Sequence, residues 1–160
     1  MNGLGFSGVV KYIEINASGL ECCVQLDFGN IVGNLNCYVL LAKSYEPYCS
    51  ANEVAVYVED SEPTILKVED TKEIGLSVVF GNSCSKINFG TQECVMQTLD
   101  KSSHTKFVAT VKKIIDEYTI VCSIGKLGEN ILVEFEDEVN YLVEEDKIMF
   151  SGEIKGELIN

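Results

Sequence analysis

The sequence contains no arginine and no tryptophan, one histidine (His104) and two prolines. Without arginine it lacks the planar, bidentate reader of phosphates and guanine edges, so only lysine is left for anion contacts. With a single histidine, any zinc site would depend on thiolates. The seven cysteines (Cys22, Cys23, Cys37, Cys49, Cys84, Cys94, Cys122) include no C-x-x-C pair, so their spacing supports no such site. There is no D-x-D-x-D-G calcium loop and no serine on a nucleophile elbow. Nothing in the order of residues places a thiol beside His104. The expectation is a protein without metal or cofactor, and not an enzyme. No apolar run approaches the ~20 residues that span a bilayer. Met1–Val10 shows no basic–apolar–small leader pattern. An odd number of cysteines, several at alternating positions in apolar runs, reads as buried free thiols in a reducing cytoplasm.

What is abundant is negative charge. There are 25 acidic residues against 12 lysines, a net charge of −13. The acids are spread along the whole chain. Such a field repels nucleic-acid backbones and anionic membranes, and it speeds encounter with basic partners. Hydrophobic residues make up 46% of the 160 positions, enough for an ordered core.

The apolar pattern is that of strands. Phe6–Ile15, Leu20–Leu26, Ile31–Leu41, Glu53–Glu59 and Thr64–Val68 alternate in the first part. Ile74–Phe80, Lys86–Phe89 and Glu93–Leu99 read as three short strands, with turns at Gly81-Asn82-Ser83 and Gly90. Asp100–Thr105 is polar and reads as a linker carrying an exposed His104. Phe107–Ile115, Thr119–Ile124, Asn130–Phe135 and Asp146–Ile154 follow, with a stub at Glu157–Ile159. Val139, Leu142 and Val143 predict a short helix within Glu136–Glu145. Gly3-Leu4-Gly5-Phe6-Ser7-Gly8 spells G-x-G-x-x-G, but a β-branched run follows it where a dinucleotide site needs a helix.

The chain also repeats itself. Phe107-x-Ala109-x-Val111-Lys112-x-Ile114 matches Phe6-x-Gly8-x-Val10-Lys11-x-Ile13. Ile120-x-Cys122-x-Ile124 matches Leu20-x-Cys22-x-Val24, and Asn130-Ile131-Leu132 matches Asn30-Ile31-Val32. In both copies the alternation slips after the valine, which predicts a β-bulge and a bent first strand. A bent first strand, three strands in series, a connection and further strands resemble the oligonucleotide/oligosaccharide-binding (OB) fold. In the second copy, Phe107–Ile114 and Glu145–Ile154 resemble bacterial tRNA-anticodon-binding-like OB domains.

The expected fold class is therefore all-β: two small OB-like β-barrel modules related by internal duplication, with three extra strands between them. The boundaries expected are 1–70 for the first module, 71–99 for the extra strands, 100–105 for the linker and 106–160 for the second module. The carboxylates Glu134, Glu136, Asp137, Glu138, Glu144 and Glu145, with Glu59, Asp60 and Glu62 as a second group, are the candidate partner-binding residues. They suit a basic protein surface, as an inhibitor or immunity protein would. The resemblance also implies an alternative, single-stranded nucleic-acid or oligosaccharide binding on Asn34, Asn36, Tyr38, Lys112 and Lys113. A structural assembly subunit pairing through strand edges is the third option.

Overall fold

The computed structural model describes the backbone of residues 6–15, 22–27, 36–41, 44–45, 53–56, 64–67, 71–97 and 104–158, and side chains within 75–97 and 104–156. Its strands are β1 (Phe6–Ile15), β2 (Cys22–Asp27), β3 (Asn36–Leu41), β4 (Ser44–Tyr45), β5 (Glu53–Val56), β6 (Thr64–Lys67), β7 (Thr71–Lys86), β8 (Cys94–Met96), β9 (His104–Ile114), β10 (Thr119–Ser123), β11 (Ile131–Phe135) and β12 (Lys147–Leu158). One 3-10 turn, Gly125–Leu127, is the only helical element among the described residues. None of their helices is long and apolar enough to cross a membrane. Two compact units divide the chain. One is built from Leu76–Asp100 and His104–Ile154, the other from Gly5–Gly75 and Lys155–Asn160.

The first of these units is a closed five-stranded barrel with one extra strand. β9, β10 and β11 form an antiparallel meander. β11 runs parallel to β7, with Val133 beside Val78 and Phe135 beside Gly81. β7 neighbours β12, and β12 returns antiparallel to β9, pairing Lys147 with Thr110 and Phe150 with Phe107. β8 adds to β9 through Cys94 opposite Val108. Alternation explains the interior: Phe107, Ala109 and Val111 of β9 are fully buried, as are Ile120 and Cys122 of β10. Phe150 stacks on Phe107 at 5.0 Å between ring centres and meets the edge of Phe135 at 5.2 Å. Each such aromatic pair adds about 1 kcal/mol beyond burial.

The other unit is also built of strands. β1, β2 and β3 form a meander. β3 runs parallel to the end of β12, Leu40 beside Lys155, and β1 pairs antiparallel with the start of β7, Phe6 opposite Ile74. β4, β5 and β6 form a separate three-stranded sheet.

The expected bulge is present in both first strands. The register of β1 on β2 skips Lys11, and that of β9 on β10 skips Lys112. These lysines occupy the same place in the repeated block. Beside the bulges, Val10 pairs with Leu26 and Val111 pairs with Cys122. Leu20 and the block Asn30-Ile31-Val32 lie outside the described residues.

Four expectations about elements are corrected. Gly81-Asn82-Ser83 does not reverse the chain: β7 continues through it, kinked by left-handed backbone at Phe80 (φ 56°) and Ser83 (φ 54°). Gly81 is needed for close approach instead, since a Cβ there would lie 2.7 Å from Cδ1 of Phe135. Lys86–Phe89 is not a separate strand, because β7 ends at Lys86 and Asn88–Thr91 turns. His104 and Thr105, expected in the linker, open β9, and Thr105 is buried. Glu157 and Leu158 are not a separate strand but the end of β12.

The helix expected within Glu136–Glu145 is also absent. Several of its backbone donors find carbonyls of the strands and of the hairpin turn instead: Glu136 N–H bonds Gly81 O, Val139 N–H bonds Glu117 O, and Glu145 N–H bonds Val111 O. The segment is a strap that buries Val139 and Leu142 while leaving Val143 exposed.

Candidate functional site

The strap and the β9–β10 hairpin bring Asp137 and Glu138 beside Tyr118, with Glu134 opposite Thr119, whereas Glu145 lies at the other end of the strap, its N–H bonded to Val111 O. Asp116 and Glu117 occupy the hairpin turn, and both are exposed. Tyr118 is fixed there on three sides. Its N–H bonds the Asp116 carboxylate at 2.8 Å, its carbonyl accepts from Phe135 N–H at 2.8 Å, and its hydroxyl reaches Glu138 at 3.4 Å. The negative charge of Glu138, followed by desolvation and the charges of Glu117 and Asp137, pushes the Tyr118 hydroxyl pKa up. Glu134 points outward from β11, opposite Thr119. Glu136, Asp137, Glu138 and Glu144 are also exposed. Among the described residues, none of these five carboxylates forms an ion pair. Glu145 differs, because Lys112 lies 3.4 Å from it. Asp146, which follows, is 3.2 Å from Lys86.

The alternative ligand residues fall in both units. Lys112 is engaged with Glu145, and Lys113 is exposed beside the bulge. Asn36 and Tyr38 alternate on β3, opposite Asp27 and Gln25. Asn34, Glu59, Asp60 and Glu62 lie outside the described residues. On the barrel, the outward positions of β10 and β11 are Thr119, Val121, Ser123, Leu132 and Glu134. That face carries neither an aromatic platform nor a lysine, the two features that single-strand binding requires.

One polar centre is not legible in the sequence. The Glu93 carboxylate accepts from Thr110 Oγ1 at 2.5 Å, Ser123 Oγ at 3.0 Å and Gly125 N–H at 2.7 Å, with Lys147 Nζ at 3.9 Å. Burial alone would raise its pKa. The hydrogen bonds from Thr110, Gly125 and Ser123, with the charge of Lys147, outweigh burial and hold the carboxyl below its usual range. It is thus an ionised acceptor that ties the segment before β8 to β9, β10 and β12. No periodicity or spacing singles out Glu93, since its hydrogen-bond partners lie 17 to 32 residues away and Lys147 lies farther still.

Cys122 and Cys84 are poor nucleophiles. Burial, then the neighbouring Cys84 and Glu93, pushes the Cys122 pKa up, and burial raises that of Cys84 against a hydrogen bond from Tyr141. Among the described residues, no group of His, Cys, Asp and Glu could hold a metal ion.

The described geometry is that of a small closed barrel with a carboxylate-rich end. No protein-family model, curated protein or solved structure matches the chain.

Proposed function

We propose that this protein is a non-enzymatic, acidic binding protein that docks on a basic protein surface, as an inhibitor or immunity protein does. The observation that carries this reading is the grouping of Glu117, Glu134, Glu136, Asp137 and Glu138 around the hairpin end of the barrel. Surface carboxylates at one end, without an ion pair among the described residues, concentrate the field of a −13 chain there. The unpaired thiols Cys84, Cys94 and Cys122 fit the cytoplasmic location that goes with the reading.

The barrel itself is best read as OB-like, and the chain as a duplication. Two features support this. In each unit a three-stranded meander is completed by a parallel partner to its third strand and an antiparallel partner to its first. Each first strand also has its bulge at the matching lysine. An OB-like barrel keeps oligonucleotide binding in view, but the β10–β11 face weighs against it.

The test begins with recovery of the protein partner from the native host, followed by association kinetics at two salt concentrations. Reversing Glu136, Asp137 and Glu138 to lysine should slow association by about tenfold or more at low salt and flatten its salt dependence. Unchanged on-rates would overturn the reading.

A further inference from the structure

The same end of the barrel exposes apolar side chains that a purely electrostatic surface does not need. Ile114, Ile115 and Tyr118 are 39%, 49% and 44% exposed. They sit on one hairpin, whose turn is closed by Ile115 and Asp116 N–H bonds to Thr119 O. We infer that this hairpin tip is the anchor of a docking site for a basic protein segment that also presents apolar side chains. The inference rests on the acidic-surface reading above and names the chemistry of its partner.

Three observations support it. The apolar tip lies within the field of Glu117, Asp137 and Glu138, the charges that act on Tyr118. A lysine-bearing partner is therefore complementary to the rim, while a nucleic acid or a second copy of a −13 chain is repelled by it. The tip is also preorganised. Tyr118 is held by hydrogen bonds of its N–H, carbonyl and hydroxyl, so little conformational freedom remains to be lost on binding. Lastly, an apolar centre containing a tyrosine, ringed by charge, has the anatomy of a protein–protein hot spot.

The test uses the full chain, isotope-labelled for amide shifts, and two probe peptides of equal length and equal positive charge. One alternates leucine with lysine; the other replaces leucine with serine. The leucine–lysine peptide should bind at least tenfold more tightly. Its shifts should centre on residues 114–118 and 137–138. That margin should vanish in Ile115→Ser and in Tyr118→Ala, with Ile114→Ser as a second exposed variant if either fails to fold. Phe89→Ser, which removes an exposed ring from the Asn88–Thr91 turn, should keep it. Equal affinity for the two peptides overturns the inference and leaves the acidic-surface reading standing. Failure of both peptides to bind sinks both. Tighter binding of a single-stranded oligonucleotide, or self-association through the tip, overturns the inference by giving the patch another occupant.

Discussion

Glu93 shows how much one carboxylate can hold. Its side chain is only 20% exposed, yet it remains charged because three donors and Lys147 converge on it. Glu93→Gln keeps the shape but loses the charge-assisted character of those bonds, and should cost about 2 kcal/mol at pH 7 by chemical denaturation. The pH dependence has a definite sign. A carboxyl held below its unfolded pKa of about 4.3 contributes fully above that pH, and its contribution fades as pH falls through the folded pKa. The stability gap between wild type and variant should therefore narrow from pH 5 to pH 3. A gap that is constant over that range would show that Glu93 acts by packing alone. Gly152 makes a second sharp case. A Cβ there would lie 2.8 Å from Val78 Cγ1 and 3.0 Å from the Val79 carbonyl oxygen. Backbone cannot move aside as a flexible side chain can. Gly152→Ala should cost about 1–3 kcal/mol, read as a lowered unfolding midpoint.

Among the elements, β7 decides whether the barrel exists. Without it β11 has no parallel neighbour and β12 loses one edge, so the meander cannot close. A fragment of residues 104–160 should therefore remain unfolded, with poor amide dispersion, whereas residues 71–160 should show the dispersed spectrum of a packed β domain. A folded 104–160 fragment would mean that the meander needs no such closure. β7 also marks the limit of what the sequence made legible. Alternation locates the strands of the meander to within three residues, because one face of each is buried. The bulges at Lys11 and Lys112 are legible for the same reason, since a parity slip is a local event. The destination of β7 is not, because no local pattern states which distant edge a strand will pair with. Gly81-Asn82-Ser83 carries the composition of a turn, but Gly81 answers to the ring of Phe135, a contact 54 positions away in sequence. The strap fails as a helix for a similar reason, because the carbonyls that capture its Glu136, Val139 and Glu145 donors belong to β7, the hairpin turn and β9, all distant in the chain. The exposed carboxylates of the candidate site were legible from charge alone. Their grouping around Tyr118 was not, because it depends on Val139 bonding Glu117 across the barrel end.

At the scale of the whole molecule, charge decides between the two binding readings. With a net charge of −13 the chain repels any polyanion at neutral pH, and only a local basic groove with stacking rings would offset that. The described barrel offers no such groove on β10 and β11: Thr119 faces Glu134 and Val121 faces Leu132. Lys112, at the bulge, is taken up by Glu145. A fluorescent single-stranded oligonucleotide should therefore show no saturable binding at neutral pH, even at low salt where phosphate contacts are strongest. Acidification supplies the internal control. Near the isoelectric point, about 4.4, the repulsion is gone. If charge alone excluded the oligonucleotide, weak binding without sequence preference should appear there and disappear again with added salt. Light scattering at the same pH should register self-association, because the field that keeps copies apart at pH 7 has collapsed. Saturable, salt-sensitive binding at pH 7 that falls in Lys113→Ala would reverse the assignment, placing the ligand face beside the bulge instead of at the hairpin tip.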